Sequence, residues 1–179
     1  MTFVPSRLSW ILISVALALP VQAEVKQAQA DTMLLEFNAK VAGPTAAVYD
    51  SIVHIERWWS SEHTYSGSAS NLSLLAEPGG CFCERWKDGA VEHGRVVFVQ
   101  RDQVVRLVAP LGPLQARAVN AVLTFQLTPA EGGTALAVSY RVNGSSASAL
   151  DKSAPAVDGV LSEAVQRLKR LIETGKPAG

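Results

Sequence analysis

The chain has 179 residues, of which 16 are basic and 16 acidic, so its formal net charge is zero. No basic run interleaved with aromatic side chains occurs, which argues against nucleic acid and against polybasic membrane targeting. A chain of this length with 48% hydrophobic residues can form one domain with a sizeable core.

The first 23 residues are typical of a secretory signal peptide. Arg7 precedes an apolar segment over residues 8–19, and Val21 and Ala23 supply the small residues of a cleavage site. The apolar segment is shorter than a membrane span of about 20 helical residues, which favours cleavage over an uncleaved anchor. We therefore expect an exported protein, periplasmic or secreted, with no stable membrane insertion after cleavage near Ala23.

The first predicted elements are a strand and one or two short helices. Residues 24–31 are polar and are expected to form a disordered leader. Residues 32–41 alternate between apolar and polar side chains, which predicts a half-buried strand. Pro44 then suits the first turn of a helix, and the apolar spacing over residues 45–59 predicts a short helix or a broken pair. Residues 60–70 form a polar loop.

Six more strands are predicted after this loop, because hydrophobic alternation is repeatedly interrupted by turn residues. They cover residues 71–76, 81–86, 91–100, 103–109, 118–127 and 134–142. Asp88-Gly89 and Arg101-Asp102 are predicted to be two-residue hairpin turns.

The hydrophobic period changes near the C-terminus. Apolar residues recur at i, i+3, i+4 and i+7 from Val157 to Ile172, which predicts an amphipathic helix over residues 158–174. Asp151 or Ser153 is the candidate cap, and residues 175–179 form a tail. The apolar face of this helix must be buried, and the inner face of the sheet is the surface available for it. The prediction is an α+β domain over residues 32–174, with a curved seven-stranded antiparallel sheet wrapped around the C-terminal helix.

The hairpin turns also predict which side chains face that helix. In the predicted register Trp86 pairs with Val91 and Val96 with Leu107. The inner face then collects mostly apolar residues, among them Cys81, Cys83, Val96, Phe98, Val105, Leu107, Ala109, Phe125 and Tyr140. The outer face collects the polar residues Glu84, His93, Arg95 and Arg106.

The order of these elements resembles the SRPBCC superfamily, which has the START or birch-pollen-allergen-like helix-grip fold. The resemblance also rests on Trp58-Trp59, Gly79-Gly80, Gly94-x-Val96, Leu111-Gly112-Pro113-Leu114 and Gly133-Thr134. Within the superfamily the chain is most similar to the group named for the activator of heat-shock-protein-90 ATPase and to polyketide-cyclase-like proteins. The resemblance implies a hydrophobic small molecule between sheet and helix, and it supplies no set of catalytic residues.

The loop after the short helices is the expected mouth of such a cavity. Of Trp58 and Trp59, one is expected to fill the core and the other to contact ligand or solvent. Tyr140 is the leading polar ligand contact, because a buried hydroxyl needs a partner. The predicted ligand-binding residues are Trp58, Trp59, His63, Tyr65, Cys83, Arg85, Phe98, Leu107, Phe125, Tyr140, Leu161 and Val165.

Two pairs on the predicted sheet have alternative interpretations. Glu84 and His93 are cross-strand neighbours, and a solvent-facing polar pair is favoured over an acid–base pair. Arg85 and Glu92 form either an ion pair at the rim, which is favoured, or a contact for a polar group of a ligand.

The two cysteines also leave two possibilities open. Cys81 and Cys83 lie on the same side of a strand, about 6.6 Å apart at ideal rise, which is the upper edge of disulfide geometry. Two reduced core thiols are favoured over a disulfide, which would require a bulge at Phe82.

No metal, nucleophile, phosphate-binding or dinucleotide motif occurs in the chain. We therefore predict no catalytic residue, metal or cofactor. The primary hypothesis is an exported protein, monomeric or weakly dimeric, that holds a lipid or polyketide-like ligand. The alternatives are a cyclase- or hydrolase-type enzyme acting in the same cavity, and a protein-interaction module of the co-chaperone kind.

Overall fold

The computed structural model describes residues 22–178, and within them an antiparallel sheet of eight strands curves around a long C-terminal helix. The strands lie side by side in the order β1-β2-β8-β7-β6-β5-β4-β3. Their bounds are β1 Gln22–Ala28, β2 Thr32–Val41, β3 Leu72–Leu74, β4 Cys81–Trp86, β5 Gly89–Gln100, β6 Val104–Val108, β7 Asn120–Ala130 and β8 Gly133–Asn143. The predicted α+β helix-grip fold is confirmed, with eight strands instead of seven.

The helices follow the predicted order. Helix α1 spans Thr45–Val53 and is followed by a 3-10 turn at Ile55–Arg57, so the broken pair is the form observed. Helix α2 spans Leu150–Thr174. Further 3-10 turns occupy Ser61–His63, Ala69–Asn71, Gly112–Arg117 and Ser146–Ser148. No helix within residues 22–178 is long and apolar enough to cross a membrane.

The predicted disordered leader is wrong, because these residues belong to the sheet. Strand β1 pairs antiparallel with β2 along its length. The backbone of Ala30 and Asp31 then accepts hydrogen bonds from Leu150 and Gly144, at 3.0 and 2.9 Å. Main-chain pairing at a sheet edge does not require apolar side chains, so the polar composition of this segment concealed the strand. Most of the predicted signal peptide, residues 1–21, lies outside the described residues.

The predicted inner face of β4 is wrong, and a bulge in β5 is the cause. Cys83 pairs with Glu92 whereas Phe82 pairs with Gly94, so His93 is an extra residue with no partner opposite. An extra residue reverses the alternation of side chains beyond it. Phe82, Glu84 and His93 therefore point inward and are buried. Cys81 and Cys83 point to the other face, where Cys83 is also buried and Cys81 is partly exposed.

The turn of this hairpin also differs from the prediction. Trp86 pairs with Gly89, which leaves Lys87 and Asp88 as the turn residues. A Cβ atom at position 89 would lie 2.5 Å from the Trp86 ring. Position 89 therefore requires glycine so that the Trp86 indole can pack against it. The sequence Asp88-Gly89 is typical of a two-residue hairpin turn, but here Gly89 is the first residue of β5.

A second bulge, at Val97, explains why Phe98 is not in the core. Val96 pairs with Leu107 as predicted, but Phe98 pairs with Arg106. Phe98 is 42% exposed, and the Arg106 guanidinium lies over its ring at 5.6 Å. The outer face is consequently less polar than predicted, since Val97 and Val108 are exposed there too.

Helix α2 begins earlier than predicted and has no side-chain cap. Asp151 and Ser153 lie inside its first turns, and Ala149 occupies the N-cap position in the left-handed region, at φ 47°. The capping box belongs instead to Ser145 and Ser148 in the preceding 3-10 turn. The inward stripe is as predicted, with Leu161, Ala164, Val165, Leu168 and Leu171 buried.

Candidate functional site

A cavity of about 550 Å³ opens between the first half of α2 and the loops that cover one end of the sheet. Its apolar wall consists of Trp59, Leu111, Pro113, Leu114, Val157, Val160 and Leu161. Polar groups are interspersed among these residues, namely Glu62, His63, Thr64, Tyr65, His93, Arg117, Lys152 and Ser153. The space between sheet and helix is filled elsewhere by core side chains, so the cavity occupies one end of the fold.

Four of the twelve predicted ligand-binding residues line this cavity: Trp59, His63, Tyr65 and Leu161. The others do not line it: Trp58, Cys83, Arg85, Phe98, Leu107, Phe125, Tyr140 and Val165. Trp58, Leu107, Phe125, Tyr140 and Val165 are buried core residues, whereas Phe98 and Arg85 are exposed.

Trp58 fills the core, as one of the two tryptophans was predicted to do, and Trp59 lines the cavity. Trp58 is fully enclosed, donates from Nε1 to the Ser51 carbonyl at 3.0 Å and packs edge-on against Phe125. Trp59 lines the cavity and donates from Nε1 to the His63 carbonyl at 3.1 Å. The second hydrogen bond fixes the indole plane as part of the cavity wall.

Tyr140 is a structural residue of the core in this fold. Its hydroxyl donates to the Ala109 carbonyl at 2.9 Å and accepts from the Leu111 N–H at 3.1 Å. Both hydrogen bonds anchor the chain as it leaves β6 toward the cavity wall. Burial raises the pKa of the Tyr140 hydroxyl well above its ordinary value, so the group stays protonated and donating.

The predicted rim pair of Arg85 and Glu92 does not form. Arg85 pairs with Ala90 in the hairpin and is exposed. Glu92 instead forms an ion pair with Arg95 on the outer face. The predicted contact depended on the register that the bulge at His93 changes.

The pair of Glu84 and His93 is buried, whereas the sequence favoured a solvent-facing pair. His93 Nε2 lies 2.9 Å from Glu84 Oε2, and the two side chains are 7% and 0% exposed. His93 lines the cavity. The imidazole also lies against two aromatic rings, with centroid distances of 4.8 Å to Phe82 and 5.9 Å to Tyr65.

Glu84 is held as an anion by donors from the cavity loop. The backbone N–H groups of Tyr65 and Ser66 donate to its two oxygens, at 3.1 and 2.5 Å. Burial acts to raise the pKa of the Glu84 carboxyl, but these donors, the Ser66 hydroxyl and His93 together lower it below its ordinary value of 4.5. The carboxylate thus fixes both the imidazole and the loop that carries Tyr65.

A second imidazole lies at the rim of the same cavity. His63 Nε2 is 3.0 Å from Glu163 Oε2 on α2, and both side chains are partly exposed. Burial acts to raise the pKa of Glu163, but hydrogen bonds from Ser60 and His63 and the Arg167 charge lower it. This pair joins the cavity loop to the helix.

Two cations line the cavity as well. Arg117 donates to the Ser148 carbonyl at 3.1 Å and to Ser153 Oγ at 2.5 Å. Within residues 22–178, neither Arg117 nor Lys152 forms an ion pair with a carboxylate. Glu62 is the carboxylate among the lining residues, so the two cations outnumber it and give the cavity a net positive edge.

Cys81 and Cys83 form a disulfide, so the favoured prediction of two reduced core thiols is wrong. Their Cα atoms are 5.3 Å apart, less than in a regular strand, because the pairing shifts between Phe82 and Cys83. The bridge lies on the outer face near Glu92. It therefore has no contact with the cavity.

The sequence did not point to His93, Arg117 or Lys152 as cavity residues, or to Glu84 as the buried partner of His93. Arg117 lies in the 3-10 turn before β7, and Lys152 lies in the first turn of α2, which begins before the helix predicted over residues 158–174. No group of metal-ligating side chains occurs among the described residues.

The fold is similar to those of several solved structures. CalU16 from Micromonospora echinospora is 12% identical with a TM-score of 0.58, over 88% of this chain and 86% of that one. The Aha1 dimer from Colwellia psychrerythraea is 15% identical with a TM-score of 0.61, over 80% and 98%. DynU16, from the dynemicin biosynthetic locus, is 18% identical with a TM-score of 0.55, over 80% and 48%.

These similarities fit an SRPBCC-type fold and, at such low identity, concern the fold alone. No protein-family model matches the chain, and no curated protein sequence matches it.

Proposed function

We propose that this protein binds an apolar small molecule in the cavity beside α2. The observation that carries the proposal is the cavity itself, about 550 Å³ with a wall of tryptophan, leucine, valine and proline side chains. Small-molecule sites typically measure about 300–1,000 Å³ and combine such walls with a few polar groups. Burial of hydrocarbon would supply most of the binding free energy, at about 25 cal/mol per Å².

The polar edge of the cavity suggests the class of ligand. Arg117 and Lys152 suit a ligand with an anionic end, such as a carboxylate attached to a lipid or polyketide-like body.

A variant that fills the cavity tests the proposal. Ala156 is an exposed cavity residue on α2, so a tryptophan there fills space without removing a core side chain. Gln166 is an exposed helix position outside the cavity and provides the matched control. We expect A156W to abolish binding of an anionic apolar dye, measured by the fluorescence of the dye, and Q166W to bind as the wild type does. Equal binding by both variants would contradict the proposed site.

Native mass spectrometry of the protein from its source provides a second test. We expect a co-purified molecule that is released by organic extraction and is absent from the A156W variant. A wild-type protein that carries no ligand and binds no apolar probe would refute the proposal.

We also propose that the mature protein is exported and acts as a monomer or weak dimer. The signal-peptide pattern of residues 1–23 and the disulfide, a bond typical of oxidising compartments, support the proposal of export. The intact mass of the protein from a periplasmic or secreted fraction should be that of a chain whose first residue lies near Glu24. Light scattering over a range of concentrations measures the oligomeric state, and a stable higher oligomer would contradict the proposal.

A further inference from the structure

The buried pair of His93 and Glu84 has a geometry that ligand burial alone does not require. A carboxylate with three donors and an imidazole are removed from water beside an apolar cavity. Burial of a carboxylate with such a partner contributes little to stability compared with apolar residues of the same volume. The β5 bulge, moreover, directs His93 toward the cavity, and bulges commonly re-aim side chains next to active sites.

The hydrogen bonding defines the state of the imidazole. The Glu84 carboxylate accepts a hydrogen bond from Nε2–H, so the lone pair of the neutral ring lies on Nδ1. Within residues 22–178, Nδ1 makes no hydrogen bond to another residue. A histidine oriented by a carboxylate on one nitrogen, with the other nitrogen available, is the arrangement of a general base.

We propose that His93 is a general base that removes a proton from an activated C–H group of a ligand in this cavity, with Glu84 as its positioning residue. This inference rests on the proposed binding of an apolar small molecule. Nδ1 takes the proton, and the C–H electron pair moves to an adjacent carbonyl or to a leaving heteroatom in the same molecule. The imidazolium then returns the proton to the product, so the step needs no oxidant, reductant or second substrate.

Other groups around the cavity fit this chemistry. Glu84 can compensate the positive charge that the ring acquires, because it accepts three hydrogen bonds and remains anionic. Arg117 and Lys152 line the same cavity and can attract the negative charge that develops on the ligand. His63 is the less suitable base, since its side chain is 29% exposed and its partner Glu163 is 40% exposed.

A nitro-substituted benzisoxazole is a suitable probe because it is small, apolar and opened by a single base. Removal of its ring C–H proton forms a nitrile, breaks the N–O bond and releases a coloured phenolate. The step therefore reports proton abstraction without any other reactant. A benzisoxazole with a methyl group in place of the reactive hydrogen measures binding without reaction.

The decisive comparison is between His93→Gln and His54→Gln. We expect H93Q to lower kcat for ring opening about a hundredfold, with binding of the methylated analogue unchanged. His54 is an exposed histidine outside the cavity, with 58% of its side chain accessible, and H54Q should react as the wild type does. Equal rates for wild type and H93Q, with both binding the analogue, would overturn the inference. Failure of the wild type to bind the analogue would instead refute the proposed function and this inference with it.

Glu84→Gln tests the positioning role. We expect a lower kcat with little change in KM, and a displaced pH–rate profile, because the tautomer and charge of His93 are no longer fixed. A purely structural role would lower the amount of folded protein and leave the pH profile in place.

The wild-type protein provides a test that needs no folded variant. Diethyl pyrocarbonate acylates imidazole nitrogens, and mass spectrometry locates the modified histidine. We expect loss of ring opening to follow modification of His93 and to be prevented by the methylated analogue. Loss that follows modification of His54 or His63 instead would overturn the inference.

Discussion

The Arg167 guanidinium donates from Nε to the main-chain carbonyl of Trp58 at 2.8 Å. A longer hydrogen bond, at 3.5 Å, joins it to the Trp59 carbonyl, and Glu163 lies 4.0 Å away on the same helix. Both carbonyls belong to the segment that carries the cavity wall. The Arg167 side chain on helix α2 therefore holds the main chain of this loop. These hydrogen bonds do not depend on which side chains occupy positions 58 and 59.

Replacement of Arg167 should loosen this connection. We expect R167A to lower the free energy of unfolding by about 1–3 kcal/mol, because two partly buried carbonyls lose a charged donor. Arg170 is exposed on the same helix, and R170A should change stability by less than about 0.5 kcal/mol. Urea denaturation measures both values. Equal stabilities of the two variants would contradict the role of Arg167.

The lowered pKa of Glu84 predicts a defined loss of stability in acid. A carboxyl with a lowered pKa in the folded state contributes stability that is complete above its ordinary value of 4.5 and is lost as the pH falls through the lower folded value. E84Q should therefore be destabilised near neutral pH, by about 3 kcal/mol, and the difference from wild type should shrink below pH 4.5.

Urea titrations of E84Q across this range, with E62Q as the control, measure the effect. Glu62 is exposed at the cavity rim and makes no hydrogen bond to the backbone of Tyr65 or Ser66. A difference between E84Q and wild type that stays constant with pH would show that the carboxylate charge is not the cause.

Tyr140→Phe separates core stability from ligand binding. Loss of the hydroxyl leaves the Ala109 carbonyl and the Leu111 N–H without their partner. We expect a loss of about 1–3 kcal/mol in stability and unchanged affinity for an apolar probe, because Tyr140 does not line the cavity. Tyr65 does line it and is 55% exposed, so Y65F should leave stability within about 0.5 kcal/mol. A Y140F variant with unchanged stability and impaired binding would contradict this expectation and indicate that Tyr140 contacts the ligand.

The disulfide predicts the result of alkylation. Denatured protein without reductant should incorporate no label at Cys81 or Cys83, and denatured protein after reduction should incorporate two. Intact mass spectrometry counts the labels. Two labels before reduction would show that both cysteines are free thiols, as the sequence-based prediction favoured.

Two glycines should respond to alanine in opposite directions. A Cβ at Gly94, beside the bulge, would lie 2.5 Å from the Ala109 Cβ, so G94A should destabilise the protein by about 1–3 kcal/mol. Gly159 is exposed on α2 with open space around it, and G159A should stabilise by about 0.5–1 kcal/mol. Thermal denaturation checks the signs, and a stabilising G94A would contradict the close packing of β5 on β6.

Hydrophobic periodicity predicted the order of the elements because strand and helix periods differ clearly in β2, β7, β8 and α2. It predicted only part of the candidate site, namely Trp59, His63, Tyr65 and Leu161. The sheet residues were assigned wrongly because two bulges each add one residue to β5 and each reverses a face. Val96 lies between the bulges and was placed correctly, whereas Phe98 and His93 lie at or beyond them and were not. Strand β1 was missed for a different reason, because main-chain pairing leaves no side-chain pattern.

The bulge also determines how relatives of this chain would differ at the site. His93 has no partner on β4, so deletion of this residue would leave the pairs Phe82–Gly94 and Cys83–Glu92 in place and the ladder continuous. Replacement by another side chain would instead keep the bulge and place a different group against the cavity. An alignment of homologues can therefore lose the imidazole in two ways, by a one-residue gap that removes the bulge or by a substitution that keeps it.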